Sequence, residues 1–97
     1  MIARIVTLTV PKNQAAETHR IWKEEWGPLV VKQTGCMMHL FMQSRENDGK
    51  FVSLSLWANQ EVVDHYVASP ARQKIRDHHR GVVGVLKVET EVFDMVH

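Results

Sequence analysis

F-V-S-L-S-L-W-A-N-Q-E-V-V-D-H-Y-V-A-S-P, residues Phe51 to Pro70, is the stretch on which the fold turns. Phe51, Ser53, Ser55 and Trp57 alternate with Val52, Leu54 and Leu56, a period of two that predicts a strand. Asn59 then offers a short acceptor side chain to cap a helix over Gln60 to Ala68, whose inner side is Val62, Val63, Tyr66 and Val67. Ser69 and Pro70 supply a cap and a first-turn proline, so a second helix opens at once and runs to about His79, with Gly81 as its stop. Strand end and helix form the floor and wall of a small pocket.

Upstream, Asn47-Asp48-Gly49 carries the dipeptide of a type I′ hairpin turn, which makes Cys36 to Arg45 the antiparallel partner of the Phe51 strand. Cys36, Met38, Leu40 and Met42 share one face of it; Met37, His39, Phe41 and Gln43 share the other. Both faces are largely apolar. Ile2 to Val10 is rich in β-branched residues and ends at Pro11, a further strand with Ile2, Arg4, Val6, Leu8 and Val10 on one side. Arg4 among these aliphatics is either a strand-end side chain reaching water or a buried charge with a partner.

Between these strands the period changes. Ala15, His19, Trp22, Trp26 and Leu29 recur at helical steps behind a cap at Asn13. Pro28 predicts a kink or break at Gly27-Pro28, and Gly35 suits a left-handed stop after Gln33. Val82 to Val96 reads as one long final strand.

The order β-helix-β-β-helices-β is the split βαβ, ferredoxin-like pattern: an α+β fold whose antiparallel sheet carries helices on one face. Two observations predict a homodimer. The helices leave the second apolar face of the middle strands uncovered. The final strand, at ~3.3 Å per residue, would span about 45–50 Å, whereas a compact domain of this length is roughly 32 Å across. It would therefore overrun its own sheet and pair with another chain.

With 97 residues, 44% hydrophobic and 24% charged, residues 1–97 make a single globular domain. The net charge of +1, with acids interleaved as in Lys23-Glu24-Glu25, gives no one-signed patch for nucleic acid. No apolar run approaches the roughly 20 residues of a membrane span. Cys36 is the single cysteine and has no disulfide partner; with no leader-like start, a cytoplasmic location is expected. The six histidines show no ligand spacing, and no metal site is expected. Arg76-Asp77-His78-His79-Arg80 reads as a solvated helix end, its basic groups facing the negative pole of the helix dipole.

The first strand, Gly35-Cys36, the F-V-S-L-S-L-W strand ending at Trp57 and the run from Glu61 through Tyr66 to Ser69-Pro70 resemble the antibiotic biosynthesis monooxygenase (ABM) domain family, small dimeric α+β barrel proteins. The resemblance spans nearly the whole chain. It implies a pocket between helices and sheet, and several chemistries: oxygenation of aromatics or quinols without metal or flavin, haem degradation, and binding or isomerisation of small metabolites. The haem-degrading branch uses an asparagine, a tryptophan and a histidine at places that fall here on Arg4, Tyr66 and Ile75 or Arg76; His78 and His79 come two or three residues late. The antibiotic-pathway oxygenases match Trp57 better, but carry asparagine at the place of Ser53, and many relatives carry histidine at that of Tyr66, with His65 beside it here.

The expected function is thus a cofactor-independent monooxygenase acting with O2 on a small aromatic, quinol or polyketide-like substrate. The alternative from another class is a non-catalytic homodimer binding a small hydrophobic metabolite, with an isomerase or haem-degrading enzyme behind it. Candidate catalytic residues are His39 and His19, since imidazole as a side-chain type suits proton transfer at neutral pH, and Tyr66, which could hold a substrate oxygen. Candidate pocket residues are Trp57, Ser53, Ser55, Trp22, Trp26 and Phe41; small polar groups beside aromatics suit a mostly apolar ligand. Each also has a plain packing role open to it. Trp22 and Trp26 could fill the pocket, and a filled pocket would argue against catalysis.

Overall fold

β1 (Ile2–Thr9) lies inside the sheet, and its Arg4 is buried rather than reaching water at a strand end. The computed structural model describes residues Met1–His97. Strand order is β2-β3-β1-β4, all antiparallel, where β2 is Cys36–Gln43, β3 Lys50–Trp57 and β4 Lys87–Asp94. Helices α1 (Ala15–Ile21), α2 (Gly27–Val31), α3 (Gln60–Val67) and α4 (Pro70–Val82) complete the ferredoxin-like α+β arrangement that the element order predicts.

Local chemistry sets most boundaries. Asn59 Oδ1 accepts from the Val62 amide at 3.0 Å and Ser69 Oγ from the Arg72 amide at 3.2 Å, so α3 and α4 carry their expected caps. Gly35 takes φ +87°, where an added Cβ would sit 2.9 Å from a Val62 methyl. The first helix differs from expectation. Asn13 lies inside a short 3₁₀ turn, Lys12–Gln14, and caps nothing. Trp22–Trp26 forms a π turn, and the Gly27 amide bonds the Trp22 carbonyl five residues back. Pro28 follows directly on the π turn, where the hydrogen-bond ladder has already slipped by one residue, and neither kinks off nor ends the helix. The helical path runs unbroken from Ala15 to Val31.

Three further expectations are corrected. Asp48-Gly49 makes no type I′ turn, because Gly35 is the one residue with positive φ. Instead Ser44 Oγ accepts the Glu46 and Asn47 amides, and Asn47 Oδ1 accepts that of Gly49. In β2 an irregularity between Cys36 and Met38 leaves Met37 as the extra residue, so Cys36 pairs with Trp57 and turns to the helix face rather than joining Met38, Leu40 and Met42. The last strand has eight residues, matched residue for residue to β1. Val82 still belongs to α4, past Gly81, so the overhang that would have reached another chain is not formed.

The charged run near the end of α4 is solvated at Asp77, His78 and Arg80, as expected, but His79 turns inward to a helix–helix seam. His79 is buried and its Nε2 lies 3.2 Å from Thr18 Oγ1 of α1; His78 Nδ1 lies 2.8 Å from Glu25. Burial, then the charges of Arg80 and His78, hold the His79 pKa below its ordinary 6.5, with Glu17 and Glu25 opposing. Burial alone lowers that of His39. A folded pKa below the unfolded one means that the unfolded chain binds the extra proton first. Stability is then whole above about pH 6.5 and is lost as pH falls below it. Thermal melts are expected to drop in Tm on acidification through this window, and His79→Leu to flatten the drop; a Tm independent of pH between 7 and 5 would contradict this.

Candidate active site

The core is two clusters with a gap between them. Val10, Ala15, Phe51 and Val83 pack at one end of the helix–sheet interface; Val30, Trp57, Val63 and Tyr66 pack at the other. The register explains the gap. On the inner face of β3 the large residues Phe51 and Trp57 flank Ser53 and Ser55, and these serines pair with Val6 and Arg4 of β1 and with Phe41 and His39 of β2. Two small side chains in the middle of the sheet leave a hollow that helix side chains do not fill. It encloses about 560 Å³ of non-atom space, its open mouth included, of which about 80 Å³ can be occupied by water centres.

Its walls are aromatic. Trp22 stacks on Phe41 with ring centroids 4.1 Å apart and planes 9° from parallel, and lies 4.6 Å from His39 and 6.2 Å from Trp26. Trp22 and Trp26 thus line the hollow without closing it. His39 is half-buried, with Nε2 3.3 Å from Ser53 Oγ. Its lowered pKa leaves the imidazole neutral at pH 7, able to accept a proton. Tyr66 closes the far side, 3% exposed, its phenol pushed above 10 by burial, against the pull of Arg72 and Arg4.

Seven of the nine candidate residues meet at this hollow: His39, Tyr66, Ser53, Ser55, Trp22, Trp26 and Phe41. Two do not. His19 is exposed, because the inward stripe of α1 is Ala15, Thr18 and Ile21, one residue off the stripe that the spacing suggested. Trp57 is wholly buried behind the wall, its ring centroid 5.1 Å from that of Tyr66. Its indole N–H donates to Ser55 Oγ at 2.8 Å, and that hydroxyl lies 3.4 Å from the Arg4 carbonyl it can donate to. Trp57 therefore orients the floor without touching the cavity.

Sequence reasoning missed the arginines. Arg4 and Arg72 both line the hollow. Arg4 is 9% exposed, and the Arg72 guanidinium carbon lies 5.7 Å from the ring centroids of both Trp26 and Tyr66. The odd charge on the aliphatic face of β1 was the signal available for Arg4. Arg72, in the first turn of α4, looked like any surface residue. Cys36 is half-buried with its thiol pushed up by burial, so it stays protonated. No three His, Cys, Asp or Glu side chains gather where they could hold a metal ion.

Comparison with known proteins adds the family. The model of the antibiotic biosynthesis monooxygenase family matches residues 1–78. The chain belongs to that family. Among solved structures, a Deinococcus radiodurans protein superimposes with TM-score 0.90 at 16% identity, covering 100% of this chain and 94% of its own. SnoaB, a cofactor-independent oxygenase from Streptomyces nogalater, gives TM-score 0.84 at 17% identity, covering 99% and 93%. PA3566 from Pseudomonas aeruginosa gives 0.83 at 14%, covering 99% and 94%. At these identities the likeness is one of fold. Among curated proteins, none matches by sequence. No helix of this ABM-family chain is long and apolar enough to cross a membrane.

Proposed function

We propose that this ABM-family protein is a cofactor-independent monooxygenase that oxidises a small, electron-rich aromatic, quinol or polyketide-like substrate with O2. The observation that carries the reading is a neutral imidazole, His39, paired with Ser53 and facing a buried phenol across an aromatic-walled hollow. Substrate rings would lie along the Trp22–Phe41 stack, with an oxygen held by the protonated Tyr66 hydroxyl. His39 would take the acidic C–H or O–H proton at Nδ1, with Nε2–H donating to Ser53 Oγ and holding the ring in place. The substrate anion then passes an electron to O2 within the enclosed site, and radical recombination forms the new C–O bond. One oxygen atom stays on the substrate carbon as a carbonyl. The other leaves as water with both substrate hydrogens, so the substrate supplies every electron. The protein contributes enclosure, alignment and a base.

The test is oxygen uptake with anthrone and a panel of quinols, with the oxygenated product identified by mass. Catalysed uptake with incorporation of one oxygen atom is expected. Saturable binding of such compounds without uptake would assign the hollow to ligand binding alone.

The active form in this proposal is a homodimer. The sheet face away from the helices carries Met38, Leu40 and Met42, 40–45% exposed, beside the half-exposed Leu54, Leu56 and Ile5. A second copy laid on this face would cover it and need no overhanging strand. A monomer in sedimentation at micromolar concentration would contradict this. A cytoplasmic setting completes the proposal and rests on the one unpaired cysteine.

A further inference from the structure

The hollow holds two guanidinium groups and no carboxylate. Neither Arg4 nor Arg72 takes part in any of the chain's ion pairs, and no Asp or Glu is among the residues lining the cavity. Arg72 Nε is buried without a hydrogen-bond partner, Nη1 reaches the Val67 carbonyl at 3.4 Å, and the neutral Tyr66 hydroxyl is its other side-chain partner. Trp26 and Tyr66 lie about the Arg72 guanidinium at cation–π range, 5.7 Å from each ring centroid, and none of its neighbours is an anion. Arg4 stands on the cavity floor opposite Ser55, and it is 9% exposed. The two charges oppose one another: Arg72, after burial itself, makes Arg4 harder to keep protonated. Two mutually repelling, poorly solvated cations are a standing cost to the fold unless something negative joins them.

We propose that the hollow is an anion site, taking a planar aromatic ligand that carries a carboxylate clasped by Arg4 and Arg72, with its rings against Trp22 and Phe41. The site is the one assigned above to oxygenation, and the inference specifies its substrate class without needing that chemistry. A carboxylate offers two coplanar oxygens, the complement of a guanidinium fork. The aromatic walls account for the rest of the ligand. A neutral aromatic of the same shape would leave both cations uncompensated.

Calorimetric titration at pH 7.5 with 2-naphthoate and with its uncharged isostere 2-naphthamide tests this. The carboxylate is expected to bind about tenfold or more tighter than the amide, the worth of one good charge-assisted hydrogen bond. That preference should collapse in Arg4→Met and in Arg72→Gln. Arg4→Met should at the same time raise Tm, because it removes an unpaired buried charge, whereas a purely structural arginine would lower Tm on removal. Equal affinities, no saturable binding of naphthoate, or a preference that survives both substitutions would overturn the assignment. The contrast in the unsubstituted protein stands on its own should a variant fail to fold. Oxygen uptake with unsubstituted anthrone and no carboxylate preference would overturn the anion site and leave the oxygenase. A carboxylate preference without uptake on a carboxylated anthrone would support the anion site and remove the oxygenase.

Discussion

Replacing His39 with alanine is expected to lower the rate of oxygen uptake by about 10²–10⁴-fold, the usual worth of a positioned general base. The imidazole is the one group lining the hollow that is both neutral and basic at pH 7. Tyr66 is protonated, and both arginines are cations with no lone pair to offer. His39→Gln separates the roles: it can keep a hydrogen bond to Ser53 but cannot take a proton, so it should be as slow as alanine. In the unsubstituted enzyme, the acid limb of the pH–rate profile should fall below pH 6.5, since burial depresses the pKa of His39. The variants should fold, because His39 is half-buried and belongs to neither core cluster. A His39→Ala rate within about twofold of the parent would remove His39 as the base, a true base being worth far more.

Gly49→Ala is the substitution with the largest expected effect on stability. A Cβ there would lie 2.0 Å from the Val10 carbonyl oxygen. Neither backbone has room to withdraw. The Val10 amide donates to the Gly49 carbonyl at 2.8 Å, and Val10 itself is 2% exposed in the cluster with Phe51. The hairpin tip would have to peel from the end of β1, breaking that bond and opening one core cluster. A loss of about 3–5 kcal/mol is expected, from a total of about 5–15 for a domain of this kind. Gly81→Ala is the control. It lies inside α4 with nothing within 4 Å of the added atom, and should stabilise by about 0.5–1 kcal/mol. Urea unfolding measures both, and equal midpoints for the two variants would refute the contact argument.

Why some of this was readable in the residues and some was not follows from the range of the forces concerned. Caps at Asn59 and Ser69 and the left-handed Gly35 are decided within four residues, and each appears as expected. The alternation of β3 fixed which face holds Ser53, Ser55 and Phe51, hence the hollow. Failures came where the pattern is broken by one residue. The extra residue at Met37 turned Cys36 to the other face, and the stripe of α1 proved to run through Thr18 rather than His19. Trp57 was legible as an inward residue, but not as one hidden behind Tyr66, because depth depends on which helix lies above it. Arg72 was invisible for the same reason. Its role is set by the rings of Trp26 and Tyr66, brought alongside by the crossing of separate helices.

The π turn at Trp22–Trp26 amounts to one residue inserted into an otherwise regular helix. Each residue of an α-helix advances the face by about 100°. Five residues of π winding turn the chain about as far as four of regular helix, so the extra residue is absorbed and α1 keeps its phase against α2. Deleting one position inside the turn would restore regular winding and leave α1 and α2 in phase. The change would be confined to the turn itself, where Trp22 and Trp26 stand. A single insertion or deletion here therefore alters one wall of the cavity while β1, β3 and the floor residues between them keep their positions, with no substitution at the floor at all.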